Sequence, residues 1–159
     1  ETNAIVDYIL DKHDDGRLRP APGTPNRADY LFWFHVSQGS LQPLLTNKFV
    51  MMAMTARAPF FLKPAAKMLV GGLDKAFFGP RLKALMTEIE KALGKSTWFA
   101  GDNLTAADIV MGYSMELAAH RAGMDAGNYP NAHRFLQQMR AYPSYQRALE
   151  KDGKGTILL

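Results

Sequence analysis

Apolar positions recur along most of this chain at helical spacing, and the most explicit helix start is Leu104-Thr105-Ala106-Ala107-Asp108-Ile109. Thr105 fits the N-cap, its side chain accepting from the N3 backbone while the Asp108 carboxylate reaches back to the Thr105 N–H. This is a capping box with Asp in place of the commoner Glu. Leu104 and Ile109 fall at N′ and N4, where an apolar staple sets the angle at which chain enters helix. Beyond the box, Val110, Met111, Tyr113, Ser114, Leu117 and Ala118 leave almost no charged face until Glu116 and His120. That pattern predicts a helix buried centrally. Its predicted end is Gly123, with His120 and Arg121 near the negative pole of the helix.

The remaining elements follow from the same periodicity. Ile5, Tyr8 and Ile9 predict a short helix over Glu1 to His13, which Asp14-Asp15-Gly16 breaks. Prolines and Gly23 between Arg17 and Arg27 predict a linker, and Thr24-Pro25 fits the N-cap and N1 of a long helix. From Tyr30 to Val36 the pattern is apolar around nearly the whole circumference, so this helix is expected to be covered from two directions. Gly39 and Pro43 predict a kink in it. Helix continues from Leu44 to Thr55, with Met51, Met52 and Met54 clustered, and again from Ala65 to Phe78 despite Gly71-Gly72. Gly79-Pro80 opens a cleaner amphipathic helix carrying Leu82, Leu85, Met86, Ile89 and Leu93, with Gly94 as its stop. Tyr129-Pro130 starts another, and Tyr142-Pro143 a last short one to about Lys151. The tail from Asp152 to Leu159 has too little pattern to assign. No β alternation, repeat or low-complexity tract interrupts this series, so the fold class is all-α, with about seven helices.

Composition narrows the chemistry. The chain has 159 residues, 47% of them hydrophobic, enough for one domain core. Its net charge of +4 comes from cations scattered as Arg17/Arg19, Lys63/Lys67, Arg81/Lys83, Arg134 and Arg140, which argues against the basic stripe of a nucleic-acid binder. No apolar run approaches the roughly 20 residues that cross a bilayer, so no membrane span is predicted. The absence of Cys excludes disulfides, thiolate metal sites and a Cys nucleophile within this chain, and fits a reducing compartment. His13, His35, His120 and His133 are dispersed, no metal site is announced, and His35 reads as a core or pocket-edge residue. Neither a serine nucleophile elbow nor a phosphate-cradling Gly loop occurs. Asp108 has the profile of a lone carboxylate among apolar residues, yet capping already explains it. Tyr30, Phe34, Ser37, Gln38 and Leu41 lie along one side of the aromatic helix, a mixture that suits either an apolar ligand with a few polar contacts or an interface.

Taken together, the chain resembles the C-terminal part of a cytosolic glutathione transferase over essentially its whole length. Glu1-Thr2-Asn3-Ala4-Ile5 is similar to the Glu-Ser/Thr-x-Ala-Ile segment that opens the last helix of that family's thioredoxin-like domain. The proline-bearing linker leads to a long helix, as it does in the family, and Leu104 to Ile109 matches the family's capping-box and staple motif. Gly39-Ser40-Leu41-Gln42-Pro43 looks most like a bacterial and fungal branch that carries this segment.

The resemblance implies three regions: 1–14, the last helix of a truncated thioredoxin-like domain; 15–25, a linker; and 26–159, a helical bundle of about six helices. It implies that Glu1 and Thr2 contact the γ-glutamyl end of glutathione, the co-substrate, with no metal. It also implies that Phe34, Ser37 and Gln38, with Tyr30 and Leu41 beside them, line the pocket for a hydrophobic electrophile. Conjugation or peroxide reduction, a detoxifying role, a homodimer and a cytoplasmic location are the matching expectations. The thiol-activating Tyr, Ser or Cys of the family lies upstream of the position matched by Glu1, so no catalytic residue is assigned here and the chain alone is expected to be inactive. The rival expectation is a transferase-like interaction module without catalysis.

Overall fold

The computed structural model describes residues 1–152, and most of the unassigned tail lies outside them. Eight α-helices follow one another among the described residues: α1 (Thr2–His13), α2 (Arg27–Val36), α3 (Gln42–Arg57), α4 (Lys63–Leu73), α5 (Gly79–Lys95), α6 (Ala106–Arg121), α7 (Pro130–Ala141) and α8 (Pro143–Asp152). No strand occurs among them; a lone antiparallel bridge joins Trp98 and Gly101.

Helix α6 is the axis of the bundle. Eleven of its sixteen residues are buried, and α1, α2, α3 and α7 all pack on it. A helix so surrounded needs small residues where its neighbours come close. Gly112 is such a point, since a Cβ there would sit 3.2 Å from the Met139 methyl of α7. The helix ends at Arg121, two residues before Gly123, which adopts φ +70° just beyond the Ala122 cap. That left-handed residue lets the Met124 N–H return to the Ala118 carbonyl at 3.2 Å.

The kink predicted from Gly39 and Pro43 takes a specific form. Residues Ser37–Leu41 are a π-helical turn connecting α2 directly to α3, and Asp74–Phe78 form a second one between α4 and α5. Each lies just ahead of a proline, Pro43 or Pro80. Proline offers no N–H and its ring crowds the carbonyl one turn back; widening the preceding turn accommodates both without ending the helix. Gly79 matches this geometry, because a Cβ there would fall 2.9 Å from the Asp74 carbonyl oxygen.

Several local expectations shift. Asn26, not Thr24, occupies the N-cap of α2, because Thr24 closes a turn instead, its hydroxyl donating to the Ala21 carbonyl at 2.7 Å. Gly94 does not stop α5, which runs through Lys95. In the Met cluster, Met51 is buried while Met52 and Met54 are exposed. His35 is exposed. Helix α1 docks through Val6 and Leu10, leaving Ile5, Tyr8 and Ile9 facing outwards.

Candidate functional site

Helix α1 touches α2 at Phe34, one of the aromatic residues singled out from the sequence. Glu1 is the exposed N-cap of α1 and Thr2 its first residue, also exposed. The N-terminus of a helix directs unsatisfied N–H groups and the positive end of its dipole outward, so it suits a carboxylate. Asn3, which the sequence reading passed over, fixes this terminus to α2: its Nδ2 donates to the Phe34 carbonyl at 2.7 Å. The amide oxygen of Asn3, Oδ1, is buried with no hydrogen-bond partner among the described residues.

Tyr30 and Phe34 stack with ring centroids 5.5 Å apart and are almost wholly buried. Both still border a cleft of about 250 Å³ between α1 and α2, together with Asp7, Arg19, Arg27 and His35. Burial pushes the Tyr30 phenol up, and Arg19 partly counteracts it. Arg19 itself bridges Asp7 at 2.8 Å and Asp11 on α1, and the Arg27 guanidinium lies 5.3 Å from the Tyr30 ring. Ser37 and Leu41 have no exposed surface; the Ser37 hydroxyl donates back to the Phe34 carbonyl at 2.7 Å. They shape this wall from behind, while Gln38 is half-buried. A larger cleft, about 860 Å³, opens at the other end of α1 between Ile9, His13, Leu18, Leu104 and Tyr142. It contains none of the predicted glutathione or pocket residues.

The capping box is purely architectural. Both halves are in place, the Thr105 side chain accepting from the Asp108 N–H and the Thr105 N–H donating to Asp108 Oδ2 at 2.8 Å; the Thr105 hydroxyl also donates to that oxygen at 2.8 Å. Asp108 Oδ1 accepts from the Phe99 N–H. Burial pushes the Asp108 carboxyl above its ordinary 3.8, against the opposing pull of those donors. With every contact turned to backbone or to its own cap, this acid has no face toward a ligand. Of the staple pair, Leu104 packs on the core, whereas Ile109 is 44% exposed. Among the described residues no group of three or more His, Asp or Glu converges on a metal-sized space.

The family described as "Glutathione S-transferase, C-terminal domain" matches residues 53–152, most of the chain. This chain belongs to the glutathione S-transferase C-terminal domain family. Its similarity to curated relatives runs further, as to Glutathione S-transferase 3 of Schizosaccharomyces pombe, 24% identical over 159 residues, which are 100% of this chain and 65% of that protein. Glutathione S-transferase 1 of Saccharomyces cerevisiae is 22% identical over 95% of this chain and 65% of its own length. The chain therefore spans 65% of the curated relatives it matches first. Among solved structures, a ternary complex of BphK, a bacterial transferase, superposes with a TM-score of 0.70 at 22% identity, covering 96% of this chain and 68% of that one. The all-helical transferase bundle described above is the fold these proteins share.

Proposed function

We propose that this chain is the helical part of a glutathione transferase, supplying one wall of the glutathione site and one wall of the electrophile pocket. The carrying observation is the Asn3–Phe34 hydrogen bond at 2.7 Å, which holds the Glu1-Thr2 terminus beside the aromatic wall of α2. On this reading the Glu1 carboxylate pairs with the α-amino group of glutathione. The Thr2 hydroxyl and the α1 terminus hold its α-carboxylate. Tyr30, Phe34 and Gln38 receive a hydrophobic electrophile, or the peroxide that a peroxidase would reduce, with Ser37 and Leu41 as backing. The exposed Ile5, Tyr8 and Ile9 suit burial against a thioredoxin-like domain, which would contribute the residue that lowers the thiol pKa. Residues 15–25 then serve as the linker between that domain's last helix and the bundle, and the protein assembles as a cytoplasmic homodimer.

The test is retention of the full-length transferase on immobilised glutathione. Loss of retention in Glu1→Ala and Thr2→Val is the expected result, and unchanged retention in both overturns the assignment. The 159-residue chain by itself is expected to bind glutathione weakly or not at all by calorimetry, since the opposite wall is missing.

A further inference from the structure

We propose that the tip of the α3–α4 hairpin is a peripheral anchor that docks on an anionic lipid bilayer surface. The feature is independent of the glutathione site. Between α3 and α4 the chain turns through Pro59-Phe60-Phe61-Leu62, where Phe60 is 85% and Phe61 67% exposed. The two rings stand edge to face at 5.5 Å. Exposed apolar residues continue along α4 as Met68 and Leu69, 72% and 70% exposed. Helix α4 has no buried residue at all, and its main neighbours are α3 and the π turn that follows it, so the hairpin projects from the bundle. Adjacent exposed aromatics on a projecting tip are what an interfacial anchor requires and what a monomeric surface ordinarily avoids.

Charge identifies the occupant. Asp74 is the only carboxylate between residues 48 and 83, and it is taken up by Lys48 at 3.0 Å. The cations that flank the Phe60-Phe61 tip are Arg57, Lys63 and Lys67, with no carboxylate nearer to it along the hairpin than Asp74. A second copy meeting this surface across a two-fold axis would set the same cations against one another. Anionic headgroups instead complement them while the Phe60-Phe61 tip enters the acyl boundary, and lysine stems snorkel back to the headgroups. The Leu62 and Lys63 N–H groups both return to the Pro59 carbonyl, at 2.9 and 3.1 Å, and Pro59 and Pro64 bring no donor to desolvate. No helix among the described residues is long and apolar enough to span a membrane, so attachment would be superficial and reversible.

Co-sedimentation of the purified protein with vesicles of phosphatidylcholine containing phosphatidylserine, against pure phosphatidylcholine, tests this. Binding is expected to the phosphatidylserine vesicles, weakening as salt is raised. Lys63→Glu/Lys67→Glu is expected to reduce it at least about tenfold, and Phe60→Ser/Phe61→Ser to abolish it while leaving the thermal melt unchanged. Absence of vesicle binding, or binding indifferent to both double substitutions, overturns the proposal. So does a Phe60→Ser/Phe61→Ser variant whose sedimentation velocity reports a smaller assembly, because the tip would then be a contact between copies.

Discussion

Phe99 and Asp108 are joined by a hydrogen bond of 2.8 Å from the Phe99 N–H to Asp108 Oδ1, and it makes the α6 cap a junction between three elements. Phe99 lies in the tight turn that Trp98 and Gly101 close by mutual backbone bonds, with Gly101 at φ +115°. Its ring packs on Trp33 of α2 at 4.8 Å and on Phe135 of α7 at 4.9 Å. One carboxylate thus starts the central helix and anchors the aromatic cluster that its neighbours share.

Removing that carboxylate should cost more than removing the cap alone. Thr105→Ala is expected to destabilise by about 1 kcal/mol. Asp108→Ala loses the cap and also strands the buried Phe99 N–H, adding about 1–3 kcal/mol. Urea unfolding at neutral pH should rank Asp108→Ala below Thr105→Ala; equal midpoints would show that the Phe99 contact contributes nothing.

Glu116 and Arg140 predict an acid-side loss of stability. Burial pushes the Glu116 carboxyl up, but the Arg140 guanidinium and the Tyr145 hydroxyl, both donating to it, bring its pKa below the ordinary 4.5. A depressed carboxylate stabilises the fold above its unfolded pKa and loses that contribution as pH falls through the folded value. Stability should therefore decline below about pH 4.5, and Glu116→Gln should flatten that limb. Asp108 opposes it in sign: its raised pKa favours the fold below about 3.8 and loses that contribution as pH rises through the folded value. Arg140→Met is expected to cost about 2 kcal/mol at neutral pH, less than for a fully buried pair, since Arg140 is 36% exposed. Thermal melts across pH check all three.

Glu90 caps a helix other than its own. From α5 its carboxylate accepts the Asn131 and Ala132 N–H groups at the start of α7, at 2.9 and 3.0 Å. Glu90→Ala should destabilise by about 1–2 kcal/mol and speed amide exchange at Ala132. Exchange unchanged from the parent would exclude the cap.

Asn3→Leu should loosen α1 from α2 without touching Glu1 or Thr2. Faster amide exchange through α1 is expected, together with weaker retention of the full-length protein on glutathione. A variant with faster exchange and full retention would separate docking of α1 from the ligand site.

Local chemistry made a large part of this architecture legible in advance. The Thr105–Asp108 box, the uncharged flank of α6 and the prolines at Pro130 and Pro143 all act within one or two turns of chain, a range over which side-chain type dictates geometry. Periodicity placed α5 and α7 for the same reason, and the Glu1-Thr2 and Leu104–Ile109 segments were enough to identify the family. Other features depended on residues far apart. Asn3 and Phe34 are separated by 31 positions and Glu90 and Asn131 by 41, and no periodic pattern encodes such partners. Nor could apolar character alone tell buried Met51 from exposed Met52, Met54 and Phe60, since composition reports what a side chain would prefer and not whether a neighbouring helix is there to cover it. The sequence by itself determined the helices, their order and the box that starts the central one, because those are decided by neighbours along the chain. Tertiary packing alone decided that α1 locks onto Phe34 and that an aromatic, cationic hairpin tip remains uncovered.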